Sequence, residues 1–171
     1  MRTFAIILTI FLTVSCAKHT AFTIQNESSS KTAKVNSKKV DNNAEKYKHY
    51  LEDNLYLISM DIMKDEVEIT NALSYKRMLR YVGYIKEKLN KSFEVIERYR
   101  KRSSDDDYQQ YIKYVDCTHK AIYASYEYME TFIKSEQEKQ TIKQLDKFKE
   151  KMRADTSKLF MKDMEKCEKI R

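Results

Sequence analysis

Three cysteines are the residues of this chain best suited to covalent chemistry. They lie at positions 16, 117 and 167 of a chain of 171 residues. An even number of cysteines in an oxidising compartment favours a disulfide. If Cys16 is removed during export, Cys117 and Cys167 remain, and we predict that they pair. The alternative is that Cys167 is a buried apolar residue and Cys117 is a free or intermolecular thiol.

Residues 1–17 have the layout of an export signal. Arg2 provides a positive end, an apolar stretch covers Phe4–Val14, and small residues precede a cleavage site after Ala17. The apolar stretch is eleven residues long, whereas a spanning helix needs about 20. We therefore predict a signal peptide, a secreted protein and no transmembrane helix in the mature chain.

Cys16 allows a second interpretation of the same segment. The sequence LTVSC ending at Cys16 resembles a bacterial lipobox, in which the cysteine becomes the lipidated first residue. Thr13 stands where that motif usually has an aliphatic residue. Under this alternative, Cys16 anchors the protein to a bacterial membrane and the following polar residues form a tether.

Residues 18–43 form a polar segment between the signal and the remainder of the chain. They are rich in Ser, Asn, Lys and Thr, a composition that cannot bury enough apolar surface to offset chain entropy. We predict that this segment is disordered. Asn26 begins one glycosylation triplet and Asn90 begins another, and both matter only in a eukaryotic secretory route.

The scarcity of turn-forming residues predicts long helices in residues 44–171. The chain has no proline and a single glycine, the two residues that most often form turns. Glycine-rich phosphate loops and the G-x-S-x-G elbow are excluded for the same reason. The three histidines include no i, i+4 pair, and neither HExxH nor CxxC occurs. We therefore expect no catalytic residues, no cofactor and no metal site.

Apolar residues at spacings of three and four predict four amphipathic helices. The first begins near Tyr47, and we place its boundary with the second at Asp61–Glu66. The charged stretch Arg98–Asp107 separates the second helix from the third, with Ser103, Ser104 and Asp105 as candidate caps. The third covers Asp107–Glu136 and the fourth Thr141–Ile170, with a possible break at Arg153–Ser157. We predict an all-α antiparallel bundle of about four helices with coiled-coil packing.

This arrangement limits how the two cysteines can meet. A hairpin that turns near residue 137 sets Cys117 opposite residue 157, and ten residues of helix separate that point from Cys167 by about 15 Å. A disulfide needs Cα atoms within about 7 Å. The pairing therefore requires a turn nearer residue 142 or a broken fourth helix.

Tyrosines are concentrated in the third helix, where six of the thirteen lie between positions 108 and 128. They cannot all face one way. Tyr111 and Tyr126 fit the edge of the core, with hydroxyls that reach water. Tyr114, Tyr123 and Tyr128 lie on other faces and are candidates for a recognition patch, because exposed tyrosine favours binding.

The net charge limits which kinds of binding partner the sequence predicts. The net charge of +7 arises from 33 Lys and Arg residues that are interspersed with 26 acidic residues. This balance gives no specific nucleic-acid signal and at most a weak attraction to anionic surfaces. We expect a non-catalytic interaction role with a protein partner of unknown identity. The alternative is binding to a membrane surface or a polyanion through the basic strip Lys139–Lys169.

Overall fold

The computed structural model describes residues 42–136 and 144–170, which fold into four α-helices and contain no strand. The helices are α1 (Asn42–Asn71), α2 (Tyr75–Arg100), α3 (Asp106–Glu136) and α4 (Leu145–Glu168). They pack against one another in alternating directions, which confirms the predicted antiparallel all-α bundle. The predicted signal peptide and most of the predicted polar segment, with Cys16 and Asn26, lie outside the described residues.

The helices pack in the order of the chain. α1 lies along α2, α2 along α3 and α3 along α4. At one end of the bundle α4 also reaches α1, where the Lys149 ammonium donates to the carbonyl oxygen of Thr70 at 2.9 Å. Because α1 and α4 do not pack along their lengths, each has a side that faces away from the core.

The core has two parts. The larger part joins all four helices and includes fully buried Met78, Ile85, Leu89 and Ile133. The smaller part lies at the other end and joins the beginnings of α1 and α3 to the end of α2 through Leu51, Ile96, Tyr108, Ile112 and their neighbours. Each fully buried side chain of the Leu, Ile or Met type contributes about 1.5–3 kcal/mol.

The predicted boundary at Asp61–Glu66 is wrong, because α1 continues to Asn71. Ile62 and Ile69 are both buried on the side of α1 that faces the core, so packing maintains the helix through this charged stretch. The break comes at Ser74, whose hydroxyl accepts a hydrogen bond from the Arg77 N–H at 3.2 Å and caps α2.

The predicted connection between the second and third helices is confirmed. α2 ends at Arg100, and the Asp105 carboxylate accepts from the Tyr108 N–H at 3.0 Å to cap α3. The Tyr108 hydroxyl in turn donates to the carbonyl oxygen of Tyr99 at 2.6 Å and ties the two helix ends together. The possible break at Arg153–Ser157 does not occur, since α4 is continuous from Leu145 to Glu168.

Candidate interaction surface

Cys117 of α3 and Cys167 of α4 form a disulfide. Their Cα atoms are 5.6 Å apart and their sulfur atoms 2.08 Å apart. The pairing uses the first of the two predicted geometries: α3 ends at Glu136 and α4 begins at Leu145, so the hairpin is centred closer to residue 142 than to 137.

Two hydrogen bonds close to the disulfide tie the end of α4 to α3. The Tyr114 hydroxyl donates to the Glu168 carboxylate at 3.0 Å. The Gln110 side-chain amide donates to the carbonyl oxygen of Ile170 at 2.9 Å. These bonds and the disulfide together fix the last turns of α4.

The proposed exposure of Tyr114 is wrong, because α4 covers that side of α3 and leaves only 8% of the residue exposed. Tyr123 is partly buried between the Phe93 ring and the Lys86 ammonium. Tyr128 is also partly buried and stacks on Phe132. A recognition role for these tyrosines stays a prediction, as does glycosylation of Asn90, which is exposed on α2.

Tyr111 and Tyr126 project from α3 toward α1 and hydrogen-bond carboxylates there. The Tyr111 hydroxyl donates to Glu52 at 2.8 Å, and the Tyr126 hydroxyl donates to Glu66. Burial raises the pKa of Tyr126, and the nearby Glu66 carboxylate raises it further. Burial also raises the pKa of Glu66, against the lowering effect of the hydrogen bond from Tyr126. Burial and the Glu52 carboxylate likewise raise the pKa of Tyr111, so both tyrosines are protonated donors at neutral pH.

These two contacts define a polar seam between α1 and α3. Ser59 and His119 lie between them along the helices and are buried, with exposures of 6% and 8%. Burial lowers the pKa of His119, whose Nδ1 lies 2.9 Å from the carbonyl oxygen of Val115. The two tyrosine–carboxylate hydrogen bonds join α1 to α3, and such buried hydrogen bonds hold helices in a defined arrangement. The seam therefore fixes which side of α1 faces outward.

The outward side of α1 carries a second series of apolar residues, which we call the outer stripe. It consists of partly buried Met63 and of five residues with exposures of 38–66%: Tyr50, Tyr56, Leu57, Met60 and Val67. The stripe follows helical spacing and lies opposite buried Leu51, Ile62 and Ile69. Exposed apolar residues that are grouped on one side of a helix, rather than scattered singly, are typical of interaction sites.

Sequence reasoning missed the outer stripe because it assigned α1 a single apolar face. Spacings of three and four join Tyr47, Leu51, Leu55, Ile58 and Ile62, and this one period already accounts for a helix that packs on a core. The available signal was the recurrence of apolar residues seven positions apart on another side, at Tyr50 and Leu57 and at Met60 and Val67. The solvent side of a surface helix is typically polar, so apolar residues that recur there are a signal in their own right.

The charged surfaces present mixed signs in the part of the chain that the structure describes. A groove at the end of α2 is lined by Glu94, Glu97, Arg98, Lys101 and Arg102. On α4, Lys149 is buried, and the Lys158 ammonium lies 3.9 Å from the Asp155 carboxylate. The basic strip is therefore interrupted by acids wherever its residues are described.

Two further findings apply to residues 42–136 and 144–170. They contain no group of three or more His, Cys, Asp or Glu side chains placed to hold a metal ion. None of their helices combines the length and the hydropathy needed to cross a membrane.

Comparisons with protein-family models, curated proteins and solved structures gave no match. Function is therefore inferred from two features of the chain itself, the disulfide and the outer stripe.

Proposed function

We propose that this protein is an exported, non-catalytic binding protein and that the outer stripe of α1 is its docking surface for another polypeptide. The observation that carries the proposal is the side of α1 away from the core, where Leu57 is 66% and Val67 53% exposed. Burying a large apolar side chain contributes about 1.5–3 kcal/mol when it starts fully exposed. Several partly exposed residues in one row therefore provide a useful share of a binding free energy.

The preformed helix supports this proposal. α1 is held by the core on one side and by the polar seam to α3, so its outer stripe is ordered before a partner arrives. Preorganisation lowers the entropy cost of association. Anchors at i, i+3, i+4 and i+7 are the pattern by which helices dock into grooves or against other helices.

Two features support export. Disulfides persist in oxidising compartments and are rare in the cytosol, and Cys117 and Cys167 are bonded. The apolar stretch Phe4–Val14 behind Arg2 fits a secretory signal. Secretion and lipid anchoring through Cys16 are both compatible with a docking surface on α1.

A peptide surface is favoured over an anionic one by the charges beside the outer stripe. Asp53 lies on the same side of α1 as Leu57 and Met60, and its carboxylate is 62% exposed. Helices that lie on anionic membranes carry Lys and Arg on their polar face. Asp53 and Lys64, which is also exposed on this side of α1, give the surface beside the outer stripe mixed signs, and these suit a partner with its own mixed charges better than an anionic membrane.

Site-specific photocrosslinking tests the proposal. A photoreactive phenylalanine replaces Met60 in the full chain, produced in cells that export it, and replaces Met161 of α4 in the matched control. Both methionines are partly exposed, at 38% and 48%. We expect a discrete crosslinked polypeptide from position 60 that is lost when Leu57→Ser is added. Absence of that product, or an equal product from position 161, would contradict the proposal.

A further inference from the structure

We infer that the polypeptide docked on the outer stripe is a second copy of this chain, paired antiparallel through α1 across a two-fold axis. This inference rests on the proposed function, because it takes the outer stripe as the docking surface. It adds the identity of the partner and the orientation of the two copies, and it names the residues that determine the pairing and the orientation.

The spacing of exposed positions on α1 is that of a coiled-coil seam. Six positions separated alternately by three and four residues are all exposed: Tyr50, Asp53, Leu57, Met60, Lys64 and Val67. An alternating three–four spacing is the a and d pattern through which two helices interlock their side chains. The buried face of α1 uses other residues, so this seam is available for a second helix.

The coiled-coil seam on the outer side of α1 is self-complementary when the second helix runs antiparallel. If the axis passes between residues 58 and 59, Leu57 of each copy lies opposite Met60 of the other. In the outermost layers, Tyr50 lies opposite Val67. An isologous interface requires that each contact occur twice, once in each direction, and this register satisfies that requirement in every layer.

Charge selects the orientation. The same axis sets Asp53 of each copy opposite Lys64 of the other, which forms two attractive pairs. A parallel arrangement in register sets Asp53 opposite Asp53 and Lys64 opposite Lys64, and such like-charge contacts are strongly unfavourable. A charged pair within an apolar seam contributes more to register and orientation than to affinity.

Both charged side chains have the freedom that this pairing requires. The Asp53 carboxylate is 62% exposed and lies 3.7 Å from the His49 ring. The Lys64 side chain is 74% exposed and lies 2.8 Å from Asp61 on the same helix. Exposed contacts between neighbours on one helix are weak, so they yield readily to a partner from the second copy.

The flanking residues support the same register. Tyr56 and Met63 lie on one side of the seam, and the antiparallel axis sets Tyr56 of each copy beside Met63 of the other. A thioether against an aromatic ring is a favourable contact.

The size of the coiled-coil seam indicates how stable a dimer can be. From Tyr50 to Val67 it is about 26 Å long and about 10 Å wide, which is below the roughly 800 Å² per partner of a standard interface. We therefore expect a weak, reversible dimer.

Charge reversal tests the inference in the processed full chain. Asp53→Lys sets lysines opposite each other twice, and Lys64→Asp does the same with aspartates. We expect sedimentation equilibrium to show that either change alone raises the dimer Kd by about tenfold or more. Mixing the two variants pairs each lysine with an aspartate and restores association, as does the double variant. Glu87→Lys, an equal charge change at an exposed position of α2, is the matched control and should leave the Kd unchanged.

Each outcome bears on either the inference or the proposed function. Recovery of association in the mixture supports the inference. A dimer that is insensitive to Asp53→Lys and Leu57→Ser overturns it, because the copies then meet elsewhere. A monomer at all concentrations that still crosslinks a different protein through position 60 overturns the inference and leaves the proposed function intact. A monomer without any crosslink at position 60 overturns both.

Discussion

Reduction of the disulfide is expected to lower the stability of the bundle by about 4 kcal/mol. Cys117 and Cys167 are 50 residues apart in sequence. The loss of chain entropy that such a loop imposes on the unfolded state corresponds to about 4 kcal/mol at 25 °C. Comparison of oxidised and reduced wild-type protein changes no residue, so the difference isolates the covalent bond.

Urea unfolding followed by circular dichroism measures this difference. With a slope of about 2 kcal/mol per molar urea, the midpoint should fall by about 2 M on reduction. A Cys117→Ala, Cys167→Ala variant serves as the control for reductant effects and should have the same midpoint with and without reductant. A shift on reduction equivalent to less than about 1 kcal/mol would refute the reasoning, as would an intact mass that does not change on reduction.

The loss of stability on reduction of the disulfide should be greatest in the last turns of α4. This segment packs on α3 through Phe160 and Met164 and is tied to it by the bond from Tyr114 to Glu168. Without the disulfide, only these contacts and the hydrogen bond from Gln110 to the carbonyl oxygen of Ile170 oppose fraying. Hydrogen exchange should therefore accelerate more after Phe160 than at Leu89 in the centre of α2, and uniform acceleration would contradict a local role.

Three further perturbations have defined outcomes. Asp105→Ala removes the cap that accepts from the Tyr108 N–H and should cost about 1 kcal/mol in urea unfolding; no loss would show that the cap is dispensable. Glu66→Gln keeps an acceptor for Tyr126 and removes a carboxyl whose folded pKa is raised by burial. Wild type should therefore lose stability relative to this variant as pH rises from 4.5 through the raised pKa, and an opposite trend would contradict that direction. Burial lowers the folded pKa of His119 below 6.5, so the unfolded chain takes up the proton more readily and wild type should lose stability as pH falls below about 6.5. His119→Gln should flatten that decline in thermal unfolding between pH 7 and pH 5, and an unchanged slope would exclude His119 as its source.

The sequence predicts the parts of the fold that depend on local patterns of charge and hydrophobicity. The cluster of cations before Ser103 and of acids after Asp105 marks a helix end and a helix start, and both lie where the charge pattern predicts. Helical periodicity also indicated the four helices, because their core-facing residues recur at three and four positions. The start of α2 was misplaced because Ser74 gives a weak cap signal, while the charged residues around Asp61 look like a break.

Features that depend on tertiary packing could not be read from the sequence. The burial of Tyr114 could not be predicted because the periodicity of α3 does not specify which of its sides α4 covers. The disulfide geometry stayed open because it depends on where α4 begins. The polar seam of Glu52 and Glu66 with α3 depends on the placement of α1 beside α3, which periodicity does not specify.

A distance between the two copies tests the central claim most directly. A spin label on Lys46→Cys, near the start of α1, reports the separation of the two labelled sites in the dimer by dipolar electron paramagnetic resonance. Antiparallel pairing about an axis between residues 58 and 59 sets these sites about 38 Å apart along the helices and, with an interaxial distance of about 9 Å, about 39 Å apart overall. A distance near 39 Å is the predicted result. A distance near 10 Å would indicate parallel pairing, and no measurable coupling between copies at dimer-forming concentrations would contradict docking through the outer stripe.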